Sequence, residues 1–273
     1  MSGSAAGGPL VSVVMPAWNA VATLERAVRS VLGQSYRRLE LVLVDDGSTD
    51  GTWPLASALA EGDRRIHAVR MDANRGVAAA RNRGIALARG ECIAFLDSDD
   101  WWHPPKLERQ VHHMRTSGAA IVYAPYDRVD RTGRVLATVR PPPVARHADM
   151  LRGNRIGNLT GIYDRRIGDG RFLPVGHEDY AFWLELVRRA GWAACVPGGD
   201  PLACYQVHDG SLSADKWRAA RWQWRIYRDI AGLGPLRSGW CFLHYAFNAA
   251  AKRSRRGGSA PGTGPHSMDS STS

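Results

Sequence analysis

The stretch "CIAFLDSDDWWHPPKL", Cys92 to Leu107, decides the fold. Its apolar opening reads as a buried strand. Three carboxylates, Asp97, Asp99 and Asp100, crowd directly behind it. Trp101 and Trp102 follow, and then a helix opened by Pro104 and Pro105, residues that suit a first turn. In a parallel sheet, ligands bind beyond the carboxyl ends of the strands. Carboxylates repel one another at this density, and a hard divalent cation relieves them. Such cations sit on one or two carboxylates and complete their shell with phosphate oxygens. Taken alone, the Asp97-Ser98-Asp99 triplet also fits a capped loop before the helix.

Working outward, the first ~120 residues alternate strand-like and helix-like segments, the mark of a parallel sheet with crossover helices. "LVSVVM" (10–15), "LELVLV" (39–44), "RIHAVR" (65–70) and "CIAFL" (92–96) read as strands. "VATLERAVRSVLG" places Val21, Leu24, Val28, Val31 and Leu32 at helical spacing, with Gly33 as the stop. "STDGTWPLASALAEG" reads as a helix capped by Ser48, Thr49 or Asp50. "GVAAARNRGIALARG" reads as a helix despite Gly84, which costs about 1 kcal/mol against Ala. Beyond residue 120 the pattern changes. "IVYAPYDRVDRTGRVLATVR" reads as strands with a turn at Thr132-Gly133, and Pro141 to Pro143 as a stiff linker or lid edge. "HEDYAFWLELVRRAG" reads as an amphipathic helix.

The chain has 273 residues, 44% of them hydrophobic, enough for one large domain or two coupled lobes. No apolar run approaches the ~20 residues of a membrane span. "MSGSAAGGPL" lacks a cationic n-region, so no secretory signal is expected there. Cys92, Cys195, Cys204 and Cys241 have neither disulfide-framework nor zinc spacing and read as reduced thiols. The net charge of +10 implies attraction to anions.

Two further motifs sit at strand ends. "PAWN" (16–19) stands where a Rossmann oxidoreductase would carry a glycine-rich loop, which excludes that reading. Trp18 offers a flat face to a base, or packs as a turn aromatic. In "DDGSTDGT" (45–52), Asp45 and Asp46 come too early to cap the next helix. At least one of them suits ribose hydroxyls or a base N–H.

The order of "VSVVMPAWNA", "LELVLVDDGSTDGT", "NRGVAAARNRGIALARGECIAFLDSDDWWHPPKLE" and "GHEDYAFWLELVRRAG" resembles the family 2 glycosyltransferases over residues ~10 to ~210. The resemblance implies the GT-A fold: α/β, a Rossmann-like, mostly parallel sheet flanked by helices, with an acceptor-side subregion and C-terminal helices. It divides the chain into a tail (1–9), a nucleotide-sugar-binding half (10–125), an acceptor half (126–212), amphipathic helices (213–256) and a second tail (257–273). Both tails read as disordered, the second for its Ser, Gly and Pro content.

The resemblance also implies roles. Pro16, Ala17, Trp18 and Asn19 would line the base of a nucleotide-sugar donor, most often a UDP-sugar. Trp18 stands where the family more often has Tyr, which keeps a stacking surface. Asp46 would accept from the uracil N–H. Asn74 and Arg81 would lie near base and diphosphate, where a guanidinium pairs bidentately with phosphate. Asp97 and Ser98 would contact the donor. Asp99, with Asp97 through water, would hold Mn2+ or Mg2+, and His208 would be a further metal ligand or a diphosphate contact. Asp179 of "GHEDY" would be the base of an inverting transfer, with Glu178 and Trp102 on the acceptor side. Without the family pattern, Glu178 and Asp179 merely suit a helix N-terminus.

"WRAARWQWRIYR" and "WCFLHYAFNAAAKRSRR" interleave aromatic and basic residues, which suits an anionic membrane surface. The expected partners are therefore a nucleotide-sugar donor, a glycan or lipid-linked acceptor and such a surface, with no nucleic acid. The expected location is cytoplasmic, peripheral on the inner face of the membrane. Two alternatives stand beside this: a transferase acting on a soluble natural product or peptide, and a non-catalytic nucleotide or nucleic-acid binding module.

Overall fold

A computed structural model describes residues 8–207, 221–222, 224–240 and 242. Its main sheet begins with four parallel strands: β1 (Val11–Ala17), β2 (Leu39–Asp45), β3 (Ile66–Arg70) and β4 (Cys92–Phe95). β1 and β2 are buried on both faces over their whole length. That explains their unbroken Val and Leu runs, since helices cover both sides of a parallel sheet. The covering helices are α1 (Leu24–Leu32), α2 (Thr52–Gly62) and α3 (Val77–Leu87).

The helix α2 is capped differently from the sequence expectation. Its N-cap is Gly51, with no side-chain cap. Ser48 and Thr49 are engaged elsewhere, by Asn19. Asp50 instead ties two segments together, accepting from Thr52 N at 2.9 Å and from Val21 N at 3.4 Å.

Gly84 in α3 has a packing reason. A Cβ there would overlap the Val14 side chain on β1. The missing side chain lets α3 lie close on the sheet. Arg81, three residues earlier, shares that buried face.

Beyond β4 come the short β5 (Trp101–Trp102), α4 (Lys106–Ser117), β6 (Ile121–Tyr123), β7 (Tyr126–Val129), β8 (Val135–Val139), β9 (Val144–Arg146) and α5 (His147–Leu151). They are followed by β10 (Ile162–Asp164), α6 (Glu178–Ala190), β11 (Trp192–Cys195) and β12 (Ala203–Gln206). The main sheet runs β3-β2-β1-β4-β10-β6-β11-β9. β10 enters antiparallel between β4 and β6, so the sheet is parallel in its first half and mixed in its second. A smaller sheet, β5-β12-β7-β8, packs beside it. β5 precedes residue 125 and β12 follows it, and the two pair. The two halves expected from the sequence are therefore interleaved through shared sheets.

Pro141 to Pro143 do not form a free linker. Pro142 O accepts from Tyr123 Oη at 2.7 Å and Pro143 O from Cys195 N at 2.8 Å, which sews the run to the sheet. Cys92, Cys195 and Cys204 are buried free thiols. Cys241 and the two expected tails, apart from Gly8 and Pro9, lie outside the described residues, as does much of 213–256. What is described there is helical at 221–222, 224–225 and 235–240, with a π-helical turn at Ile226–Ile230.

Candidate active site

The strand ends converge as the alternation requires. At the end of β1, Trp18 is 55% exposed and stands open beside the sheet, while Pro16 and Ala17 are buried beneath it. Asn19 adopts a positive φ of 48°, which Asn tolerates better than most residues. Its backbone N–H donates to Ser48 Oγ at 3.0 Å, and its Oδ1 accepts from Thr49 N at 2.9 Å. Asn19 thus locks the β1 loop to the β2 loop.

Asp46 is equally committed. Its Oδ1 accepts from Arg75 N and its Oδ2 from Gly76 N, both at 2.8 Å. Asn74 Oδ1 accepts from the same Gly76 N–H at 3.0 Å. The carboxylate therefore holds the 73–76 loop against the strand ends, with remaining lone pairs for a ligand. Its neighbour Asp45 is wholly buried, and its Oδ1 has no hydrogen-bond partner. A recess lined by Gly47, Ser48, Thr49, Arg70, Met71 and Asp72 opens beside these loops.

The acidic turn divides its three carboxylates. Asp100 is buried and accepts from Gln206 N at 2.8 Å, so it staples the turn to β12. Burial, then Asp99 and Asp97, push its carboxyl well above the usual range. Asp97 and Asp99 stay half-buried. Arg26 of α1 braces this turn. It donates from Nη2 to Asp99 O at 2.9 Å and to Gln206 Oε1 at 2.6 Å, and stacks on Trp101.

Trp102 belongs to the core, not to the acceptor side where the sequence put it. It is 3% exposed, and its Nε1 donates to Leu159 O at 2.7 Å. Lys106 Nζ sits 3.7 Å from its ring centroid, a cation–π contact. An indole pinned in this way has no face left for a ligand.

Arg81 joins the two halves of the site. It is buried, and its Nη2 donates to Asp97 Oδ1 at 2.6 Å. Burial opposes its charge, but Asp97, then Asp179 and Glu178, outweigh that and strengthen its proton affinity. Its Nε is buried and has no hydrogen-bond partner.

Asp179 lies at the start of α6, a helix whose apolar faces bury Tyr180, Phe182, Trp183, Leu184, Leu186 and Val187. Its Oδ2 accepts from Asn154 Nδ2 at 3.3 Å. Desolvation raises its pKa above the ordinary value. Arg81, the Tyr180 backbone and His177 oppose the rise, and Asp97 adds to it. Glu178 Oε1 accepts from Gly176 N at 3.2 Å and tightens the preceding turn. His208 lies outside the described residues.

Among the described residues no three His, Cys, Asp or Glu side chains gather as a metal site. Two adjacent carboxylates, Asp97 and Asp99, remain as hard oxygen donors. That set fits Mg2+ or Mn2+, which keep several waters and bind through one or two carboxylates plus substrate phosphates. Asn154, Arg26 and Asp100 were not picked out for these roles from the sequence. Only a distant partner gives each of them its role, so no local pattern marks them.

The sequence profile of "Glycosyl transferase family 2" matches residues 12–166. The putative teichuronic acid biosynthesis glycosyltransferase TuaG of Bacillus subtilis (strain 168) is 38% identical, over 90% of this chain and 98% of its own. The UDP-Glc:alpha-D-GlcNAc-diphosphoundecaprenol beta-1,3-glucosyltransferase WfaP of Escherichia coli is 32% identical, over 89% of this chain and 95% of its own. Among solved structures, the mannosyltransferase PcManGT from Pyrobaculum calidifontis, in complex with GDP-Man and Mn2+, superposes with a TM-score of 0.63 at 21% identity. That match covers 94% of this chain and 78% of the other, and shows a shared fold.

Proposed function

The chain belongs to glycosyltransferase family 2, and on that premise we propose that it moves a sugar from a UDP-sugar to an acceptor hydroxyl in cell-envelope polysaccharide assembly, inverting the anomeric centre. One observation carries this reading. A single buried guanidinium, Arg81, pairs with Asp97 at 2.6 Å, and its charge is felt at Asp179. Donor loop and candidate base are thereby one electrostatic unit.

The residues divide the work as follows. Trp18 presents its exposed face to the base, while Asp46 holds the 73–76 loop and accepts from the base N–H. Arg81 brings its charge toward the diphosphate, where a desolvated cation stabilises developing charge. Asp97 and Asp99, with His208, would hold Mn2+ or Mg2+, which when bound neutralises diphosphate charge. The carboxylate of Asp179 takes the proton of the acceptor hydroxyl. That oxygen then bonds to the anomeric carbon from the face opposite the diphosphate. The bond to the diphosphate oxygen breaks, and the nucleotide leaves with the electron pair. Glu178 lies toward the acceptor. Residues 10–125 thus serve the donor and 126–212 the acceptor.

The names of the relatives support the substrate classes, since WfaP's states a UDP-glucose donor and a lipid-diphosphate acceptor. Thermal unfolding with UDP, GDP, UDP-glucose and UDP-GlcNAc, each with and without Mn2+, tests the donor. Stabilisation by the uridine compounds is expected. No shift with any nucleotide would sink the enzyme reading in favour of a non-catalytic module.

A lipid-linked acceptor also needs access to a membrane. Among the described residues no helix is long and apolar enough to cross one. The C-terminal segment instead exposes Trp224, Leu236 and Trp240 alongside Arg225, Arg228 and Arg237, a surface suited to the anionic inner leaflet. Co-sedimentation with anionic vesicles, weakening as salt rises, is expected. Equal partitioning onto neutral vesicles would refute the electrostatic part.

A further inference from the structure

The turn that presents Asp179 is not held by its own half of the fold alone. Gly176 has a φ of +89°, and a Cβ there would overlap the Trp222 indole. Next along the chain, His177 packs edge-on against the same indole, with centroids 5.3 Å apart and planes at 85°. His177 is the N-cap of α6, and Glu178 and Asp179 follow it. Trp222, more than forty residues later, therefore forms the seat of the turn.

The same C-terminal segment grips a second element of the site. Tyr227 Oη donates to Leu151 O, and Tyr180 Oη to Met150 O, each at 2.7 Å. Ile226 is fully buried, in the same core cluster as Met150 and Ala181. Three residues past Leu151 stands Asn154, the partner of Asp179. One segment thus fixes both the backbone that carries the carboxylate and the loop that carries its hydrogen-bond donor.

We propose that Trp222 is a positioning residue for Asp179: its indole seats the Gly176–His177 turn and so sets the direction of the Asp179 carboxylate. The inference rests on Asp179 being the base. It acts first on the base, because the donor-side residues Trp18, Asp46 and Arg81 come from other elements. A misplacement of about 1 Å at a reacting group costs up to ~100-fold in rate.

The test uses the full chain, a donor chosen by nucleotide stabilisation and an acceptor that the wild type glycosylates. Trp222→Ala is expected to lower kcat about 10-fold or more, with the donor KM within about twofold. Trp222→Phe, which keeps a ring in the seat, is expected to recover most of the lost kcat. Gly176→Ala disturbs the same turn, through the indole and through its own φ of +89°, and should reproduce the kcat loss. Trp222→Leu stands in if Trp222→Ala does not fold. Wild-type kcat in the folded Trp222→Ala or Gly176→Ala protein would overturn the inference. So would a loss carried by donor KM alone. Asp179→Asn serves as the control. If it turns over normally, the base assignment itself has failed. If it is inactive while Trp222→Ala is normal, only the seating role has failed.

Discussion

Asp179→Asn is expected to lower transfer by about 10²–10⁴-fold, the usual worth of a positioned general base. Thermal stabilisation by UDP should be largely kept, because Trp18 and Asp46 come from other elements and Arg81 keeps its ion pair with Asp97. The amide is isosteric, so the hydrogen bond from Asn154 is the contact most perturbed. Pairing Asn154→Ala with it separates orientation from basicity. The pH dependence follows from desolvation at the start of α6. Desolvation raises the Asp179 pKa above the ordinary value, with Arg81 pulling the other way. A base works only when deprotonated. Transfer should therefore rise with pH through that raised value and be lost on the acid side of it. Removing the charge of Arg81, as in Arg81→Met, removes the opposing pull and should move the acid limb to higher pH. Steady-state transfer rates across pH decide this. Full activity of Asp179→Asn would end the assignment.

Asp99→Ala is expected to erase the Mn2+-dependent part of UDP stabilisation. A ligand at 100 times its Kd stabilises by about 2.7 kcal/mol. Each kcal/mol raises Tm by about 2–4 °C in a protein of this size class, so the wild-type shift should be about 5–10 °C. The variant should retain the smaller shift that UDP produces without metal, since Trp18 and Asp46 are untouched. Asp100→Leu should act differently. Asp100 is stapled to Gln206 N in the core, and a side chain with no acceptor leaves that buried N–H unpaired, so this replacement should lower the Tm of the ligand-free protein. A full Mn2+-dependent shift in Asp99→Ala would move the metal elsewhere.

Asp97, Asp99 and Asp100 are consecutive enough to be read as one motif, yet the fold gives them separate tasks. Asp97 takes Arg81. Asp100 closes a hydrogen bond 106 residues away. The half-buried Asp99 lies between them, its carbonyl braced by Arg26. A chain read in order shows the crowding but not the partners that resolve it. Trp102 illustrates the same limit. Next to an acidic turn, a tryptophan reads equally as a pocket wall or as core. Lys106 at the start of α4 and the carbonyl of Leu159 make it core.

The sequence by itself determined the parallel half of the sheet. Strand and helix periodicity are local, and β1 to β4 with their crossover helices lie where the apolar runs put them. It also determined the family, because the motif order along the chain is a property of the sequence alone. Tertiary structure decided how the site is wired. β10 inserts antiparallel beside β4, and the smaller sheet threads residues from both halves. Trp222 reaches the turn before α6 from the far end of the chain. The physical reason is range. Periodicity and capping act within a few residues, whereas burial of a charge or seating of a turn is set by whatever the fold packs against it.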